Sequence, residues 1–161
     1  MGHAESTPNA GMSGQPLAGL PAFEPPWRRL ERAAREGNPL AYAAASASAG
    51  RICLADGDLD EALWHVRRGW LFLDLPVSCE HSLALRCELA ALTLALSNQS
   101  MADDAQARRL RDDTRDAVFD ILRRCNAVQG RHATLLQVAD ILDALGDRSD
   151  ADTVRRQVPQ N

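Results

Sequence analysis

The stretch LADGDLDEALWHVRRGW, Leu54 to Trp70, places Asp56, Asp58, Asp60 and Glu61 within six residues, beside Gly57. Alternating acids next to a glycine suit a calcium loop or the turn between two helices. An EF-hand loop opening at Asp56 needs a glycine where Glu61 stands and a bidentate glutamate where Arg67 stands. The helical reading accounts for the residues better. Gly57 stops one helix, Asp58 caps the next, and Glu61 follows three residues on, as a capping box requires. Ala62, Leu63, Val66, Trp70 and Leu73 then recur at helical spacing and form one apolar stripe.

The pattern returns in weaker form as LDALGDRSDADTVRR, Leu142 to Arg156. Laid over the first copy, Gly146 falls on Gly57, Asp147 on Asp58, Ile141 on Ile52, and Ala151 on Ala62. Both copies read helix, Gly-Asp turn, helix. Each has a small residue seven positions before the glycine (Gly50, Ala139) and an alanine five after it. Small side chains there let paired helices approach closely, while the glycine supplies a positive-φ turn and the aspartate a cap.

Gly50, Gly57, Asp58, Leu59, Asp60, Glu61 and Ala62 resemble the small-residue, turn and closing-alanine signature of the tetratricopeptide repeat. The likeness covers about Ala43–Pro76 and, in part, His132–Gln157. Ser46 and Ala49 depart from the Trp and Leu usual in that family, and the two copies are not spaced by a multiple of its roughly 34-residue period. The resemblance implies an all-α fold, a right-handed superhelical array of antiparallel helix pairs. It also implies that first helices line a concave groove for a peptide or partner helix. The groove residues would be Ala47, Arg51 and Leu54 in the first pair, Arg86 in the central helix, and Leu136, Asp140 and Asp143 in the last. Arg51 and Arg86 would either pair a partner's acid or bridge to neighbouring helices.

Composition agrees with packed helices. The chain has 161 residues, 45% of them hydrophobic and only 4% aromatic, so its core is built from Leu, Ala and Val. All eighteen basic residues are Arg, which removes lysine Schiff bases and P-loop or kinase-type lysines. With abundant Ala, this suggests a GC-rich bacterial genome. A net charge of -4 argues against nucleic acid as a partner. The longest apolar run, Leu89–Leu96, is too short to span a bilayer. Cys53, Cys79, Cys87 and Cys125 lack CxxC spacing and read as reduced thiols of a cytoplasmic protein.

Residues 1–25, rich in Gly, Pro, Ser and Thr, read as a flexible tail, and 26–158 as a single domain of about seven helices. Pro26 and Gly37 bracket the first helix, Asn38-Pro39 opens the second, and Ser78 is set to cap the apolar central helix. Ser100 with Asp103 opens a long charged helix with the core stripe Leu110, Thr114, Ala117, Ile121, Cys125 and Val128, closed by Gly130. Its other faces place opposite charges four apart, as in Asp104/Arg108, Arg108/Asp112, Arg109/Asp113 and Asp120/Arg124.

Candidate chemistry is sparse. Cys79, His81 and Cys87 with His65 match no zinc spacing, and the carboxylates sit in caps or charged helix faces. No cofactor, metal or catalytic residue is expected. Trp64 lies off the stripe of its helix and reads either as core or as a second contact surface, such as a homodimer seam. The leading expectation is a module that binds another protein or itself, as adaptor, chaperone or assembly factor. The alternatives are a regulatory module with a small ligand between helices and a self-associating structural protein.

Overall fold

Proline in the first turn and glycine past the last bracket helix α1 (Pro26–Glu36), and Pro39 opens α2 (Pro39–Ala55). There follow α3 (Leu59–Leu73), α4 (Glu80–Gln99), α5 (Asp104–Cys125), α6 (His132–Leu145) and α7 (Arg148–Arg155). The structure is a computed structural model that describes residues 24–73, 79–100, 104–126, 128 and 131–158. Among the described residues there are seven helices and no strand, so the chain is all-α as its periodicity implied. The expected tail as far as residue 23 lies outside the described residues, as do Ser78, Asp103 and Gly130.

The two Gly-Asp turns are alike to the hydrogen bond. Gly57 has φ 82° and Gly146 φ 92°, a region open to glycine and strained for other residues. The Gly57 N–H donates to Leu54 O and the Asp58 N–H to Cys53 O; the Gly146 N–H donates to Asp143 O and the Asp147 N–H to Leu142 O. This is the Schellman closure in both places. Ala62, Ala139 and Ala151 are fully buried, and a Cβ built at Gly50 would stand 3.2 Å from Val66 Cγ2. The small residues mark close helix approaches, as expected.

The caps depart from expectation in three places. Asp58 Oδ1 accepts the Glu61 N–H at 3.2 Å, but the Glu61 carboxylate reaches forward to His65 Nε2 at 3.5 Å. Asp147 does not cap α7; its carboxylate accepts from Arg115 Nε at 2.9 Å, tying the last turn to α5. The cap of α4 is Cys79, one residue later than expected. Its Sγ accepts the Ser82 N–H at 3.4 Å, and Ser82 Oγ accepts the Cys79 N–H at 3.1 Å.

The central helix explains why its sequence is apolar nearly all round. α4 packs against α2, α3, α5 and α6. Leu85, Leu89, Leu92 and Leu96 join Ala43, Ala47, Ala62 and Val66 in one core cluster. Leu83, Cys87, Ala90 and Leu94, turned the other way, join Val118, Ile121, Leu135, Val138 and Leu142 in a second. Each set keeps the helical period of three and four residues, so one helix serves two cores. Trp70 packs against both, and its Nε1 donates to Thr93 Oγ1 at 3.4 Å.

α5 buries Leu110, Thr114, Val118, Ile121 and Cys125. Val118 replaces Ala117 in the expected stripe, because the turn spacing allows either and the larger side chain fills the core; Ala117 and Val128 are half-buried. Of the expected charge pairs, Asp120 with Arg124 forms at 2.7 Å. The even helices α2, α4 and α6 touch in series, whereas among the described residues the backbones of α3, α5 and α7 do not approach one another as closely.

Candidate functional site

The residues expected to line a groove separate into three groups. Ala47 and Arg86 are interior, at 0% and 4% exposure, and this corrects their assignment to a partner surface. α2 and α4 are packed on several sides, so the face that carries these residues meets other helices instead of solvent. Arg86 donates to Leu73 O and, at 3.4 Å, to Asp120 Oδ2, and Asp120 is also held by Arg124. It is a tie between α3, α4 and α5. Leu54 is half-buried against the first core cluster.

The remaining four are at the surface, most of them engaged within the fold. Arg51 is exposed on α2 and forms an ion pair with Glu88 on α4. Leu136 and Asp140 are exposed on α6, but Arg155 on α7 binds both Asp140, at 3.1 Å, and Asp143. On the same helices Ser48 is half-buried, and Ala84, Ala91 and Ala133 are exposed.

A better-formed surface lies elsewhere, around α3. Trp64, expected as a second contact surface, is 46% exposed, and its ring meets the His65 imidazole edge-on at 4.8 Å. One turn on, Arg68 Cζ stands 4.6 Å from the Trp64 ring centroid and 5.4 Å from that of Tyr42 on α2. Both distances lie within cation–π range. Tyr42 in turn packs on Phe72, with centroids 4.1 Å apart. Among the described residues the Arg68 guanidinium has no carboxylate partner and makes no hydrogen bond.

Beside this cluster is a cleft of about 440 Å³, lined by Ala33, Ala34, Gly37, Asn38, Pro39, Tyr42, Arg68, Leu71 and Phe72. It forms where the α1–α2 turn faces the C-terminal half of α3. Asn38 Oδ1 accepts the Ala41 N–H at 3.0 Å, which leaves its NH₂ group to donate outward. Leu71, 71% exposed, stands at the rim. The lining is therefore largely apolar, with the donors of Asn38, Arg68 and the Tyr42 hydroxyl and no carboxylate. Burial, opposed by Glu61 and aided by Arg68, holds the His65 pKa below its ordinary value, so the imidazole is neutral at pH 7 beside the guanidinium.

Cys87 and Cys125 share the second core, while Cys53 and Cys79 lie outside it. Cys87 is buried, and its pKa is pushed up to about 12 by burial; burial also raises Cys125. Cys79, half-buried at the start of α4, is lowered by the Ser82 N–H and hydroxyl. Cys79 and Cys87 thus serve a cap and a core, and among the described residues no three His, Cys, Asp or Glu side chains converge as a metal requires. No described helix is long and apolar enough to cross a membrane. Comparison with protein-family models, with curated proteins and with solved structures gave no match.

Sequence reasoning found Trp64 but missed Arg68, Tyr42, Leu71 and the Asn38–Pro39 turn as parts of one surface. The signal present was the spacing 64, 68, 71, a stripe opposite Ala62, Val66 and Leu73.

Proposed function

We infer that the protein is a helical scaffold that holds a segment of another protein, with α2/α3, α4/α5 and α6/α7 as its repeating pairs. The Gly-Asp turns closing α2/α3 and α6/α7 and the even helices touching in series support a tetratricopeptide-like array, and its right-handed sense is part of the same inference. Four unpaired thiols favour a reducing, cytoplasmic setting.

The observation that carries the reading is the cleft between α1, α2 and α3. Exposed Leu71 and Trp64 flank a cation with no acid of its own, and Tyr42 and Phe72 hold the site rigid. Aromatic and Arg anchors beside a preformed pocket are the usual centre of a protein interface. Nothing in that lining supplies a nucleophile with a base, which favours binding over catalysis.

The test is affinity capture with the full chain, comparing Leu71→Asp with Arg51→Ala and Leu136→Ala. Loss of a captured protein in Leu71→Asp alone, with melting temperature unchanged, supports the cleft. Loss in the other two, with Leu71→Asp unaffected, would return the site to the face of α2, α4 and α6.

A further inference from the structure

The outward face of α3 carries Trp64, Arg68 and Leu71 at i, i+4 and i+7, about 10 Å from end to end. This apolar–cation–apolar stripe adjoins the cleft, which adds Phe72, Tyr42 and Pro39 on one side. We propose that it docks an amphipathic helix of another protein in which an Asp or Glu is flanked, one turn away on each side, by large apolar residues. The proposal rests on the scaffold reading above and names the partner's chemistry.

Three observations lead there. First, the aromatic rings engage the Arg68 guanidinium without using its N–H groups, which remain to bind an acceptor. A carboxylate takes two of them in parallel, and the Asn38 NH₂ lies in the same lining. Secondly, a guanidinium between rings is weakly hydrated, so covering it with a partner costs less than covering an ammonium. Thirdly, the anchors ride on one rigid helix, so their matching groups fall on one face of an opposing helix at the same spacing.

Other occupants fit less well. Two copies of this face related by a twofold axis would set Arg68 against Arg68, with no acid in the lining to separate them. A single cation on a chain of net charge -4 does not make a nucleic-acid stripe.

The experiment uses the full chain and two synthetic alanine-based helical peptides. One carries Leu, Glu and Leu at i, i+4 and i+7; the other has Gln in place of Glu. Binding is read by calorimetry and tryptophan fluorescence. The Glu peptide is expected to bind about tenfold more tightly than the Gln peptide. The difference should vanish in Arg68→Gln and be partly kept in Arg68→Lys, with helix content and melting temperature as folding controls. Equal binding of both peptides, or failure of the Glu peptide to bind at millimolar concentration, overturns the proposal. So does self-association of the chain that Leu71→Asp abolishes, since that assigns the stripe to a second copy. If the peptides do not discriminate but Leu71→Asp still loses the captured protein, the partner chemistry is wrong and the scaffold reading stands. If Leu71→Asp keeps that protein, the scaffold site itself is wrong.

Discussion

Cys79 accepts the free Ser82 N–H in the first turn of α4 through its sulfur, and that is a job normally left to Ser, Thr or Asp. The same bond favours the thiolate, so its pKa falls below the ordinary thiol value, while desolvation drives Cys87 to about 12. Timed alkylation with iodoacetamide at pH 7, read by mass spectrometry, is therefore expected to label Cys79 first. Cys87 should react only as fast as the fold opens. Cys53, raised by burial and by the acids Glu61, Asp58 and Asp56, should lag behind Cys79. Labelling of Cys87 ahead of Cys79 would contradict the burial and capping described for both. At this scale the sequence was partly legible. Gly57, Gly146 and Ala62 announced their roles by type and spacing. The Asp147 carboxylate did not, because its partner Arg115 lies on another helix and only packing brings them together.

At the scale of helices, the Gly57 and Gly146 turns are the same device, used also at Gly37 between α1 and α2, and they should fail alike. An alanine forced to φ 82° or 92° costs about 1–2 kcal/mol. Gly57→Ala and Gly146→Ala are each expected to lower unfolding stability by that amount in urea titrations. Nothing lies within 4 Å of a Cβ added at either site, so the loss comes from backbone strain and not from a clash. The double variant should show the sum, since the turns share no partners. A neutral effect at either glycine would mean that its turn is not closed as described. The existence and order of the helices were readable from caps and periodicity, but their orientation was not. α2 and α4 carry small or apolar residues on most sides, so neither has a polar face to say which side meets solvent. That is why Ala47 and Arg86 were assigned outward although they are buried.

For the whole molecule, two of the surfaces that flank the cores about α4 differ in character. On α2 and α6 the exposed charges Arg51 and Asp140 are engaged within the fold. The α1–α2–α3 cleft keeps an unpaired guanidinium among rings and an exposed leucine. Sequence periodicity could not distinguish these faces, because Tyr42 and Arg68 meet only through the packing of α2 on α3. The central claim is that the partner sits on the second face. It is tested most directly by ¹H–¹⁵N chemical-shift mapping of the full chain titrated with the Leu–Glu–Leu helical peptide. The largest shifts are expected at Ala34, Gly37, Tyr42, Leu71 and the Arg68 side-chain Nε–H. Shifts centred on Arg51, Ala91 and Leu136, or spread evenly over the chain, would contradict it.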